Sequence, residues 1–117
     1  MEIGLKYKGK KINLQVKKLG VFGRFIGLMF SRRENARALL FDFKKPTRTP
    51  IHSFFVFYPF IAVWLNKNWK IQELRVVNPF LPCIKPKKPF CRLVEIPLNS
   101  QYQKVLEHLF GTFGLQE

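Results

Sequence analysis

The chain has 117 residues, the length of one domain, and its hydrophobic fraction of 47% excludes an intrinsically disordered protein. Lys and Arg number 21 against 7 Asp and Glu, so the formal net charge is +14. Because a charge of this size repels itself in a compact state, we expect an anionic partner: nucleic acid, an acidic protein or an anionic membrane.

Alternating apolar and polar residues predict an N-terminal hairpin. Its strands cover residues 3–8 and 11–17, and Gly9 lies in the turn between them. One face is apolar and the other is basic. The basic face is predicted to carry a stripe of lysines, formed by Lys6, Lys8, Lys11 and Lys17.

The same period of two predicts further antiparallel strands, at residues 38–43, 52–58, 61–66, 69–77 and 92–98. Residues 19–30 contain three glycines, which leaves a short helix and an irregular turn both open. Two segments contain prolines: 44–50 is predicted to be a loop, and 78–89 an ordered loop or an edge segment.

The period changes near the C-terminus, where apolar residues at helical spacing predict a helix from about Gln101 to Phe110. Ser100 and Gln103 fit a capping box at its start, and Gly111 fits its end. The apolar stripe consists of Tyr102, Val105, Leu106, Leu109 and Phe110. The expected fold is therefore mainly β within the α+β class: an antiparallel sandwich or barrel spanning residues 1–117 as one domain, with a C-terminal helix.

Three stretches, in order, resemble the DUF192 family of small β-rich proteins. The first is Gly27-Leu28-Met29-Phe30 followed by the strand at 39–43, and the second is the aromatic strand, proline and hydrophobic strand of residues 51–66. The third runs from Lys70 to Pro79 and then through the glutamate strand at 92–96. The resemblance implies a compact antiparallel β-sandwich or barrel with one or two short helices, and no established activity.

The chain departs from the DUF192 pattern at its polar positions. Ile61 stands where the family commonly has an Asp, and residues 51–55 replace a Trp-Met-Lys-Asn-like stretch. Leu98-Asn99 stands where a Gly often follows the glutamate strand. A function that rests on the family's polar groups is therefore not expected here.

Catalytic chemistry is poorly represented in the sequence. Asp42 is the only Asp, and the glutamates show no paired spacing, so no catalytic residue is predicted. Cys83 and Cys91 lack the close spacing of a zinc site, so we expect no metal and no cofactor. They are either two free thiols or a bond that closes the proline-rich loop.

The sequence shows neither a signal-peptide pattern nor an apolar run long enough to span a membrane. The first residues do not have the basic-then-apolar layout of a signal peptide. The longest apolar run, 51–65, is shorter than a membrane span and contains Pro59. A cytoplasmic protein without a membrane span is expected.

The basic residues support the leading hypothesis, a non-catalytic module that docks on RNA or a ribonucleoprotein surface through phosphate contacts. The predicted contacts are Lys6, Lys8, Lys10, Lys11, Lys17, Lys18, Arg32, Arg33, Lys44, Lys45, Lys85, Lys87 and Lys88. Two alternatives stay open. One is a small-ligand or enzymatic role in a pocket lined by His52, Ser53 and Glu95, and the other is a structural protein that binds an acidic protein.

Overall fold

A computed structural model describes the backbone of residues 1–20 and 27–114, with side chains through Phe110. A short helix and an irregular turn were both expected as alternatives for residues 19–30. Most of that segment, residues 21–26, lies outside the described residues. The described residues form seven strands, with the bounds β1 Glu2–Tyr7, β2 Lys10–Gln15, β3 Lys17–Lys18, β4 Leu39–Thr47, β5 Phe60–Leu65, β6 Ile71–Val77 and β7 Phe90–Pro97. A 3-10 turn, Ser100–Tyr102, leads into helix α1, Gln103–Gly114. The prediction of a mainly β protein with a C-terminal helix is confirmed.

The strands form two sheets: the hairpin β1-β2 and a five-stranded sheet in the order β3-β4-β7-β5-β6. Strand β7 occupies the middle of the larger sheet and is antiparallel to both neighbours. Its register places Glu95 between Leu39 of β4 and Ala62 of β5. Strand β7 therefore has a paired strand on either side, and its side chains project from one or the other face of the sheet.

Alternate residues of each strand point to opposite faces of the five-stranded sheet. Each of the two faces carries a cluster of buried residues. On one face, Ile61, Val63 and Ile96 pack against the hairpin and α1. On the other face, Phe60, Trp64 and their neighbours pack beneath loops rather than beneath a second sheet. The loop-covered face carries the candidate site, since loops can present both a cavity wall and an exposed tip.

The predicted strand at 52–58 is wrong. The burial does alternate there, with Val56 and Tyr58 buried and Phe55 and Phe57 exposed, but the segment has no strand partner. Ser53 O accepts instead from Val56 N, so the chain turns. The period-two pattern therefore reflects packing of one side of a loop against the sheet.

Two other predictions need correction. Residue 16 ends the hairpin, and Lys17 pairs in parallel with β4 in the other sheet, so the expected wholly antiparallel arrangement is broken at one edge. Asn99, rather than a Ser100–Gln103 box, caps the 3-10 turn that leads into the helix, and the helix continues past Gly111 to Gly114.

Asn99 joins the start of the helical segment to the loop at residues 33–36. Its Oδ1 accepts from Gln101 N at 3.0 Å, while its Nδ2 donates to Arg33 O at 2.6 Å and Ala36 O at 3.0 Å. The residue is buried, so removing its side chain leaves polar backbone groups without partners.

We expect Asn99→Ala to lower the free energy of unfolding by about 2–4 kcal/mol, because the variant lacks the cap and two buried hydrogen bonds. Chemical denaturation measures the change. Ser100→Ala is the matched control: its hydroxyl bonds only the exposed Glu34, so the decrease should stay below about 1 kcal/mol. Equal decreases for the two variants would contradict this role for Asn99.

Candidate functional site

The loop-covered face of the sheet contains a cavity of about 450 Å³. Its lining is mostly apolar and comes from the turn at 27–29, strands β4 and β7, and the loop at 49–56. The lining residues are Gly27, Leu28, Met29, Phe41, Phe43, Thr49, Pro50, Ile51, His52, Val56, Leu93 and Glu95. A cavity of this size and composition is typical of a small-molecule site.

Glu95 is the acidic group in this lining, and it is only 6% exposed. Leu93 and Glu95 lie two residues apart on β7, so the register that buries Leu93 also directs Glu95 into the cavity. Burial raises the pKa of the Glu95 carboxyl to about 8. Among the described residues none hydrogen-bonds this side chain. At neutral pH the cavity therefore presents an uncharged carboxylic acid with a free donor and a free acceptor.

Gly27 helps to keep this space open. Its φ of +50° favours glycine, and a Cβ built there would lie 3.4 Å from Glu95 Oε1. Gly27 therefore lies at the cavity wall beside the Glu95 carboxyl group, where a side chain would contact it.

The structure brings together two of the three residues predicted for the pocket. His52 lines the same cavity as Glu95, and its Nδ1 accepts from Phe54 N. Ser53 does not line it. Ser53 is fully buried, donates from Oγ to Asn78 O at 2.6 Å and accepts from Leu81 N at 2.7 Å, so it joins two loops. Adjacency in sequence was misleading because the chain turns directly after His52.

A second polar pair lies near Glu95. Tyr58 Oη and Ser31 Oγ share a hydrogen bond, and Ser31 Oγ donates to Leu28 O at 2.6 Å. Burial raises the pKa of the Tyr58 hydroxyl, the bond with Ser31 opposes that change, and the charge of Glu95 adds to it. The electrostatic influence of Glu95 therefore reaches Tyr58.

The predicted lysine stripe on the hairpin is not continuous. Lys6 and Lys11 face each other across β1 and β2, while Lys10 pairs with Tyr7. Lys8 occupies the turn at a φ of +50°. Lys17 and Lys18 belong to the other sheet, where they line an open groove with Arg37. The stripe prediction failed because the hairpin ends before Lys17.

Two other basic groups do converge. Thr47 pairs with Phe90, and Arg48 donates to Pro86 O at 3.2 Å, so residues 44–48 and 85–90 lie side by side. The exposed cations of this region, named the basic end, are Lys44, Lys45, Arg48, Lys85, Lys87 and Lys88. Arg32 and Arg33 are exposed on a separate loop, where Arg33 donates to Leu98 O.

The remaining chemistry is modest. Asp42 lies 3.6 Å from Arg92, and both cysteines are free thiols. Within residues 1–20 and 27–114, no group of three His, Cys, Asp or Glu side chains is placed to hold a metal ion. No helix in this part of the chain is long and apolar enough to cross a membrane.

Sequence reasoning missed an exposed aromatic cluster. Phe54, Phe55 and Phe57 lie in the segment predicted to be a strand, 52–58, yet all three are exposed, as are Phe30 and Phe80. A signal was present for one of them. In Asn78-Pro79-Phe80-Leu81, proline favours the second position of a turn, which puts Phe80 at the third, on the outside of the chain.

Comparisons with known proteins define the fold but not the activity. No family model matches the sequence, and no curated protein matches it. A protein of unknown function from Novosphingobium aromaticivorans superposes with a TM-score of 0.70 at 10% identity, covering 89% of this chain and 76% of that one. A putative transcription regulator from Sinorhizobium meliloti superposes with a TM-score of 0.69 at 19% identity, covering 87% and 81%. At these identities the likeness shows a shared fold alone.

The raised pKa of Glu95 makes a prediction about stability. Between pH 4.5, its ordinary value, and about 8, the native state holds a proton that the unfolded chain has released. The stability of the parent protein should therefore fall as pH rises through this range, by at most about 1.4 kcal/mol per pH unit. Glu95→Gln does not titrate and should escape this fall.

Urea unfolding of both proteins at several pH values from 5 to 8 is the measurement. The free-energy difference in favour of Glu95→Gln should grow with pH, because the other titrating groups cancel in the comparison. The exposed Glu34 supplies the control variant Glu34→Gln, which should show no such growth. A difference that is constant across the range would contradict a raised pKa at Glu95.

Proposed function

We propose that the domain binds a small, mostly apolar molecule in the cavity, and that one polar group of this molecule hydrogen-bonds Glu95. The observation that carries the proposal is a buried carboxyl group without a partner among the described residues, set in an apolar cavity of about 450 Å³. The carboxyl group opens into the cavity, so a ligand there can reach it and form the hydrogen bonds that the described residues do not supply.

The chemistry of an uncharged carboxyl group selects the ligand's polar group. It donates through O–H and accepts through C=O, which matches a neutral primary amide. A cationic amine would require Glu95 to ionise, and burying an ion pair carries a large desolvation penalty. A neutral head group on a short hydrocarbon chain is therefore the ligand class.

Binding rather than catalysis is favoured by the rest of the lining. His52 is the other side chain in the described lining of a type used for acid–base catalysis, and its Nδ1 is already engaged with Phe54 N. The proposal that the chain is a divergent DUF192 member is compatible with this function, because that resemblance implies no established activity.

Probes with one hydrocarbon chain test the ligand class. Hexanamide should raise the melting temperature more than hexanol or hexylamine, because an amide presents its donor and acceptor on two atoms that match the O–H and C=O of Glu95, whereas a hydroxyl presents both on one oxygen. In Glu95→Leu this preference should disappear, and in the control Glu34→Gln it should persist. If no probe raises the melting temperature of the parent, or if Glu95→Leu keeps the preference, the proposal is wrong.

A second candidate function is docking on RNA through the basic end, and the observation that favours it is the convergence of residues 44–48 and 85–90. Phosphate contacts from such a surface give affinity without reading the base sequence. The partner would then be an RNA or a ribonucleoprotein, with an acidic protein as the alternative.

Two variants of equal charge test this candidate. One changes Lys44, Lys45, Lys87 and Lys88 to Gln, and the other changes the hairpin lysines Lys6, Lys8, Lys10 and Lys11 to Gln. Binding of a single-stranded oligonucleotide should weaken more in the first, and its salt slope should fall by about 0.7 for each phosphate that no longer meets a lysine. Equal weakening in the two variants would show that net charge alone, and not the basic end, governs binding.

A further inference from the structure

Three phenylalanines have backbone conformations that side chains rarely adopt. Phe30, Phe55 and Phe80 have φ values of +60°, +58° and +62°. Each is the third residue of a turn, the position at which glycine is usually favoured when φ is positive. A bulky residue at positive φ is an outlier, and such outliers cluster at functional sites.

Backbone hydrogen bonds hold the three turns against one another. Phe30 N donates to Phe55 O at 2.9 Å, and Phe80 N donates to Ser53 O at 2.8 Å. The buried Ser53 hydroxyl then closes the third turn by bonding Asn78 O and Leu81 N. The strained conformations are therefore fixed by the fold and shared among three separate segments.

The rings of these residues face solvent together. Phe30 is 67% exposed, Phe55 46% and Phe80 46%, and Phe57 joins them at 62%. Phe30 stacks on Phe55 with centroids 5.0 Å apart, and Phe80 meets Phe55 at 6.0 Å and Phe57 at 5.3 Å. This aromatic cluster is a contiguous apolar surface, which in soluble proteins marks an interaction site.

Charge around the cluster identifies the partner. Residues 49–66 and 76–84 contain no Asp, Glu, Lys or Arg, although 24% of the chain is charged. Arg32 and Arg33 follow Phe30 closely, and Lys85 follows the second segment directly. The cluster is therefore built largely from charge-free segments of a chain whose net charge is +14, which matches the apolar interior and anionic headgroups of a lipid surface.

We propose that the aromatic cluster docks the protein on an anionic lipid bilayer, with the rings of Phe30, Phe55, Phe57 and Phe80 entering the interface. A net charge of +14 repels a second copy of the chain. Base stacking on RNA interleaves cations with the rings to meet the phosphates, whereas here the cations lie outside the two charge-free segments. Docking is independent of whether the cavity binds a ligand.

The strained backbone makes a sharp test possible. The triple variant Phe30→Gly, Phe55→Gly and Phe80→Gly removes three rings and relieves three strained φ values. We expect sedimentation with phosphatidylcholine vesicles containing about 30% phosphatidylserine to weaken by about tenfold or more. Its melting temperature should equal or exceed that of the parent, because glycine tolerates positive φ. The parent should bind pure phosphatidylcholine vesicles weakly.

Two single variants provide an independent test in case the triple variant does not fold. Phe57→Ser lies in the cluster and Phe110→Ser lies on the exposed side of α1. Only Phe57→Ser should weaken vesicle binding. Four results would overturn the proposal: equal binding by parent and cluster variants, equal weakening in Phe110→Ser, a parent dimer that the cluster variants dissociate, or loss of oligonucleotide binding without loss of vesicle binding.

Discussion

Burial of the Glu95 carboxyl in the central strand is the constraint on which the candidate site depends. Strand β7 is paired on both sides, so Glu95 lies in the interior of the sheet. Its register with Leu39 and Ala62 directs the Glu95 side chain toward the loop-covered face. An ionised carboxylate there would lack both solvent and a counter-ion among the described residues. The group is therefore uncharged at neutral pH, and this gives the apolar cavity its one buried hydrogen-bonding group among the described residues.

The same loops have two chemically different sides. Leu28 and Val56 point into the cavity, while Phe30 and Phe55, in the same two turns, point outward. Positive φ values at the two phenylalanines reverse the chain tightly enough for neighbouring residues to face opposite ways. The cavity and the exposed aromatic surface therefore lie on opposite sides of the same two turns.

Sequence periodicity predicted most of the strands and the helix, because a period of two or of 3.6 records which side of an element is buried. It failed at 52–58, where a loop packed on a sheet has the same alternation as a strand. Lys17 was misplaced because alternation continues from the hairpin into the edge strand β3. The separation of Ser53 from the cavity and the exposure of Phe30, Phe55 and Phe80 depend on tertiary placement of loops, on which local patterns carry little information.

Direct titration of Glu95 tests the central claim. With 13C-labelled glutamate, the carboxyl resonance of Glu95 can be assigned by comparison with Glu95→Gln and followed from pH 4 to 9. A buried carboxyl group should titrate with a midpoint near 8, well above the ordinary value of 4.5. A midpoint close to 4.5 would show a solvated, ionised carboxylate and would contradict an uncharged anchor in the cavity.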